Sequence, residues 1–404
     1  MTTATDTNQP PAAGNGPIRE IATCHGYGLA TGLVGLGLIP GLISSFEETF
    51  ALSHSWMGAI LAAGAALFCV LAIVFGLIAD HRGYRIVLIV STALIAVCAA
   101  MLWQSPTRIL AIAALLLFNA CMGNYPLINS LVFSLYGEKS AKGMNLIHGI
   151  EGVGRLLAPL LIALMIALTQ SWRSVFCVTM IVFLILLVPV SVIRKSAVAG
   201  PIGGTSLKES LRILKVPQVL LGVLTFVFLT GCENMFINWI ANYLETECSL
   251  SRRQGLLGLT VMMTGFTGVR LFLGLVHLEF TAGWVLGALA MVTACYGGLA
   301  LASSPWLIYG ICFVLGAAMG PSFPMTANLL LRVLPGGRGL LTGLFFLGGN
   351  VGVMVFVSLA GVLGDIFSLR VAFAVAPASY AIFAAILIFF LKKKRDCGTN
   401  CKGQ

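Results

Sequence analysis

Charge is what this sequence has least of. Of 404 residues only 9% are Asp, Glu, Lys or Arg, and the acids number 14. A soluble domain carries about 25% charged residues, so this chain cannot wrap one dry core in a wetted surface. It also lacks the alternating ten-residue segments that build a membrane barrel. No phosphate-cradling G-x-x-x-x-G-K-[S/T] loop and no H-E-x-x-H zinc motif occurs. His25, His54, His81, His148 and His277 are scattered on different segments. Nucleotide-driven work, a metal site, a cofactor and an enzymatic activity are therefore not expected. A basic stretch leading at once into an apolar core and a small-residue cleavage site is missing as well, so no cleaved leader is expected.

What is present is apolar. The hydrophobic fraction is 58% and the mean hydropathy +0.99. A bilayer-spanning helix needs about 20 mostly apolar residues, and such runs recur along almost the whole chain. They are long and unalternated, and helices satisfy every backbone polar group in hydrocarbon. The predicted spans are 25–46, 56–79, 86–103, 109–135, 144–168 and 174–193, then 217–242, 254–277, 282–302, 306–333, 339–363 and 371–391. The expectation is an all-α integral membrane protein: twelve transmembrane helices in two pseudo-symmetric, parallel six-helix bundles around a central cavity. Its parts are a disordered tail over 1–22, bundles over 23–193 and 217–391, a linker over 194–216 with a short surface helix (206–215), and a basic tail over 392–404. Most of the eleven cysteines lie inside apolar runs, where Cys behaves as a small hydrophobe. Cys397 and Cys401 form a tail pair without a histidine, short of a zinc site.

The basic residues orient the bundle. Of the 24 Lys and Arg, seventeen fall on the side that holds both termini. Five fall on the other side, and Arg155 and Arg270 fall inside spans. The positive-inside rule places both termini in the cytoplasm. It also accounts for the net charge of +10 without nucleic acid as a partner. The expected setting is the lipid bilayer of a cell membrane, the bacterial inner membrane, with the chain as a monomer.

Sliding the chain over itself by 197 or 198 residues brings Glu48-Thr49 onto Glu245-Thr246 and Leu52-Ser53 onto Leu250-Ser251. Gly76-Leu77 falls on Gly274-Leu275, Met122-Gly123 on Met319-Gly320, and Val153-Gly154 on Val351-Gly352. With Ser171 and Arg173 on Ser368 and Arg370, a near-constant offset across five helix pairs predicts parallel repeats about an axis along the membrane normal, with a midplane site between them.

After the second span comes Gly76-Leu77-Ile78-Ala79-Asp80-His81-Arg82-Gly83-Tyr84-Arg85. It resembles the signature loop of the major facilitator superfamily. The expected work of that loop is local: Gly76 for close helix packing, Gly83 for a tight turn, and Asp80, Arg82 and Arg85 for contacts at the domain interface. Within the superfamily the chain is loosely similar to the fucose-permease-like sugar transporters. The resemblance rests on Asn145-Leu146-Ile147-His148-Gly149 with Gly152-Val153-Gly154, on Glu233 with Trp239 and Tyr243, on Val269-Arg270, and on Gly320-Pro321-Ser322-Phe323-Pro324. It implies a twelve-helix transporter. Where that group places acids on its first and fourth helices, this chain has no buried acid on the first and Asn119, Asn124 and Asn129 on the fourth, of which Asn124 is expected to line the cavity.

An ionisable residue inside a span costs about 2.5–3.5 kcal/mol on insertion scales, so it has a function or a partner. Asn145, His148, Glu151 and Arg155 follow one another at spacings of three, three and four, which puts them along one helix face. They read as a cavity stripe: Glu151 as proton acceptor, Arg155 as counter-charge or anion ligand, His148 as a relay. The competing reading is an ion pair that locks the fifth helix. Glu233, Asn234 and Asn238, with Trp239, suit a hydroxylated ligand, since amides donate and accept and an aromatic face covers C–H groups. Against that stands interhelical glue. Arg270 is expected to bind an anion, to pair with Glu151, or to snorkel to the interface. Glu47 and Glu48 read as surface residues, and Asp365 and Arg370 as loop structure.

The function expected from these features is secondary transport of a small polar organic solute, a sugar or related metabolite, by alternating access. Protons or another ion would supply the coupling. The alternatives are a drug or metabolite exporter, an organic-anion exchanger, and, from another class, a non-transporting receptor or assembly factor.

Overall fold

Ser53, Thr107, Thr281 and Ser368 each turn a side-chain oxygen onto the backbone N–H three residues on, at 3.3–3.4 Å. Such a cap satisfies one of the N–H groups that a helix start leaves open, and each stands at the head of an apolar run. The computed structural model describes residues 16–193, 215–275, 281–334 and 338–400. Within them twelve helices are long and apolar enough to cross a membrane. They are α1 Ile18–Phe50, α2 His54–Arg82, α3 Tyr84–Gln104, α4 Arg108–Tyr136, α5 Leu146–Thr169 and α6 Ser174–Ser191, followed by α7 Pro217–Thr246, α8 Arg252–Leu273, α9 Gly283–Leu301, α10 Pro305–Leu331, α11 Leu341–Ile366 and α12 Leu369–Leu391. Ile73, Leu77, Ile109, Leu168, Leu301 and Trp306 expose more than half their surface. An apolar rind of this kind fits lipid and not water.

Among the described residues four helices are interrupted. In α1 a π-turn spans Thr31–Gly35 ahead of Pro40. In α4 a 3₁₀ turn spans Met122–Asn124 ahead of Pro126. In α10 the break falls at Gly320-Pro321, ahead of Pro324. In α12 it falls at Ala374, ahead of Pro377. A proline has no N–H to offer the carbonyl four residues back, so each break leaves a carbonyl for another partner.

The repeat is present in the contacts themselves. A Cβ at Gly154 on α5 would collide with Leu29 O and Leu33 N of α1. A Cβ at Gly352 on α11 would collide with Val227 O and Gly231 N of α7. Each residue of the second set lies 198 positions beyond its counterpart. Likewise Gly123 of α4 abuts Phe68 O of α2, and Gly320 of α10 abuts Phe266 O of α8. The same two backbone crossings thus build both halves. Between the halves α2 packs on α11 and α5 on α8, with Gly58 against Ser358 and Gly152 against Thr267. These two interfaces are repeats of one another.

Boundaries differ from the sequence expectation at both ends. Helix begins by Gly16, inside the stretch expected as tail, and the last helix runs on to Asn400. The expected surface helix at 206–215 falls almost wholly outside the described residues, as do His277 and Cys401.

Candidate functional site

The α1–α5 crossing sets the first part of the site. Gly32 rests on the carbonyl of Glu151, and a Cβ at Gly37 would lie 3.1 Å from Arg155 Cα. Any side chain there would drive the helices apart, so these glycines fix where Glu151 and Arg155 sit. Arg155 donates from Nε and Nη2 to the same oxygen, Glu151 Oε1, at 2.9 and 2.7 Å. The other carboxylate oxygen accepts from the Tyr125 hydroxyl at 3.1 Å, and His148 Nδ1 lies 3.4 Å from it. The Glu151 side chain is 9% exposed, against 30% for Arg155 and 40% for His148. The carboxylate is therefore buried and paired, while the arginine keeps an open side. Arg155 borders a narrow cleft between the halves. The other lining residues are Leu36, Gly37 and Pro40 from the break in α1, Ile237 from α7, and Leu259 and Met263 from α8. Unwound backbone at membrane depth is tolerated where it borders such a cavity.

The second half brings another acid and another arginine together, on different helices. Glu233 of α7 has its Oε2 3.9 Å from Arg270 Nη2 of α8. Arg270 donates from Nε to Gly320 O at 2.6 Å, the carbonyl that Pro324 leaves without its helical donor. Its guanidinium lies over the Phe266 ring, 4.0 Å from the centroid. The expected pairing of Arg270 with Glu151 is not formed. Arg270 is nevertheless close enough to Glu151 and Arg155 for their charges to act on it, so the four ionisable groups form one electrostatic cluster across the two halves.

Other expected site residues stand elsewhere. Asn124 is fully buried inside the first half, where its amide donates to Tyr27 Oη and to Ser91 Oγ. It ties α1, α3 and α4 together instead of lining the cavity. Trp239 is also fully buried; its Nε1 donates to Val357 O of α11 at 3.1 Å, and its ring meets His54 edge-on. Asn234 and Asn238 are half-buried and donate to carbonyls of their own helix, Thr230 O and Asn234 O. Asn145 is on the helix that carries the α5 stripe, but its side chain lies outside the described residues. In the signature loop Gly83 has φ +87°, as a tight turn requires, while a Cβ at Gly76 would meet nothing within 4 Å. Gly76 therefore does not serve close packing here. Asp80 and Arg82 are exposed and Arg85 is half-buried.

Sequence reasoning missed Tyr125, and it misjudged the end of the bundle opposite the termini. Glu47 is not a surface residue. Its carboxylate accepts from Asn242 Nδ2 of α7 at 2.6 Å and lies 2.7 Å from His54 Nδ1. Arg252 of α8 reaches Glu48 at 2.6 Å and Ser45 at 3.1 Å. Asp365, expected to serve its own loop, accepts the N–H groups of His54 and Ser55 in the other half. Together these contacts latch the halves at that end.

The family model described as Major Facilitator Superfamily matches residues 26–280. No curated protein matches the chain. Among solved structures, the nucleoside transporter NupG aligns with a TM-score of 0.75 at 12% identity, over 93% of this chain and 99% of that one. The E. coli Fucose:proton symporter FucP aligns at 0.62 and 16%, over 93% and 99%. A bacterial homologue of the human lysosomal transporter Spinster aligns at 0.72 and 14%, over 94% and 98%. At these identities the likeness is one of fold. The family match covers more than half of the chain, and the twelve-helix repeat agrees with it: this protein belongs to the Major Facilitator Superfamily of membrane transporters.

Proposed function

We propose that this protein is a secondary transporter that carries a small polar organic solute across the cell membrane by alternating access, with protons as the coupling ion. The observation that carries the reading is the position of Arg155. Among the described residues it is the charged side chain at the cleft bounded by α1 and α5 of one half and α7 and α8 of the other. A group so placed meets a solute wherever the halves rock about it, and Glu151 behind it balances its charge between turnovers. Both termini lie in the cytoplasm of a bacterial cell on this reading, and the chain acts as a monomer.

A thermal-stabilisation screen of the purified protein tests the proposal first. Sugars including fucose, nucleosides and small organic acids form the solute set. Flux in proteoliposomes, with and without a pH gradient, follows. The expected result is a solute that stabilises the wild type, stabilises Arg155→Gln less, and is taken up faster when the gradient is imposed. Flux of every solute no greater than into empty vesicles would sink the reading.

One observation favours a narrower version, exchange of small organic anions. Apart from Arg155 the cleft lining among the described residues is apolar or backbone, and Asn234 and Asn238, which each spend an amide N–H on their own helix, are not part of it. Uptake of acids but not of their amides would select that version.

A further inference from the structure

The two buried acids differ in how completely they are satisfied. Glu151 receives two N–H groups and a hydroxyl, with an imidazole nitrogen close by. Every lone-pair direction that matters is occupied, and the positive partner sits on the same helix one turn away. Glu233 is the opposite case. Its side chain is 4% exposed, and its Oε1 is buried with no hydrogen-bond partner among the described residues. Its Oε2 stands 3.9 Å from Arg270 Nη2, beyond hydrogen-bond reach. Arg270 is held away by the Gly320 carbonyl and the face of Phe266.

The groups that face Glu233 are few. Arg270 comes from α8 and Tyr380 from α12, with Ser322 of α10 beside Tyr380 and Cys232 on α7 itself. From the other half, Glu151 and Arg155 lie near Arg270. No donor in this set reaches the carboxylate. An ionised carboxylate buried without hydrogen bonds costs several kcal/mol, and the usual resolution is that the group becomes neutral. A proton on Oε1 supplies that neutrality and turns an acceptor into a donor.

Resting on the transport reading above, we propose that Glu233, and not Glu151, is the residue that binds and releases the coupling proton, and that Arg270 is its movable counter-charge. In the loaded state the proton is on Oε1, the carboxyl is neutral, and Arg270 stays on Gly320 O. On release the proton leaves to water, the carboxylate becomes an anion, and Arg270 crosses the 3.9 Å gap to it, giving up the Gly320 carbonyl. Glu151 remains ionised throughout and keeps Arg155 aimed at the cavity.

The test uses the proton itself as the probe and needs no solute. Infrared difference spectra of the full-length purified protein are recorded between acid and alkaline buffer. Among the C=O bands that form on acidification, a high-frequency component from a carboxyl without hydrogen bonds is expected in the wild type, retained in Glu151→Gln and lost in Glu233→Gln. Glu233→Asp is expected to shift the band without removing it, which keeps the test open if Glu233→Gln is not monodisperse. Arg270→Lys is expected to move the pH at which the band forms. Loss of the band in Glu151→Gln, or a spectrum unchanged in both Glu233 variants, overturns the proposal. The transport reading fails separately, on flux, whatever the spectra show.

Discussion

The carboxylate of Asp365, in the last turn of α11, holds the backbone N–H groups of His54 and Ser55 at 2.9 and 2.8 Å. These are the first residues of α2, in the other half. One half of the molecule thus caps a helix of its partner, and the cap exists only while that end stays closed. With Glu47–Asn242 and Arg252–Glu48 it forms a latch that a rocking motion must open.

Replacing Asp365 by alanine tests the latch. Losing such a cap costs about 0.5–2 kcal/mol, so amide hydrogen exchange in the first turn of α2 should speed up by about 2- to 30-fold. Exchange there at the wild-type rate would mean that Ser53 alone is a sufficient cap.

The Glu151–Arg155 pair predicts non-additive stability. Removing one partner of a fully buried ion pair costs about 3–5 kcal/mol because the other charge is left unpaired, and the open side of Arg155 places this pair below that range. Glu151→Gln and Arg155→Gln should each lower the thermal midpoint in detergent, and the double variant should sit above either single one. Additive losses would show that the two side chains do not act as a pair.

The repeated crossings predict paired steric effects. Gly154→Ala and Gly352→Ala each press a methyl onto backbone, where overpacking costs about 1–3 kcal/mol. Both should lower the thermal midpoint by similar amounts. Gly76→Ala meets open space and should be neutral or stabilising, since alanine is the better helix former by about 1 kcal/mol. A severe loss at Gly76 would show that the loop packs more closely than described.

The parts of this molecule that were legible in the sequence are those written in local spacing. Apolar runs gave the spans, and the offset of 198 that joins Gly154 to Gly352 is also the offset between their collision partners. The i, i+4 spacing of Glu151 and Arg155 gave a pair that the structure forms. What escaped depends on which neighbour a helix face meets. Asn124 and Trp239 face away from lipid, and sequence does not separate a face that meets water in a cavity from one that meets protein. Glu47 was misjudged because its partner Asn242 lies 195 residues away. Tyr125 carries no charge and no motif, so nothing marked it as the donor to Glu151.

The contrast between the two acid–arginine pairs also bears on how the chain enters the membrane. Glu151 and Arg155 lie one turn apart, so they neutralise each other within a single helix and pass into the bilayer as a unit. Glu233 and Arg270 belong to successive helices and come together only after both have been inserted. Each must therefore partition with about 2.5–3.5 kcal/mol against it. The seventh and eighth helices are thus the step at which biogenesis of this protein is most exposed to failure, and a longer dwell of this helix pair at the insertion machinery is the expected signature.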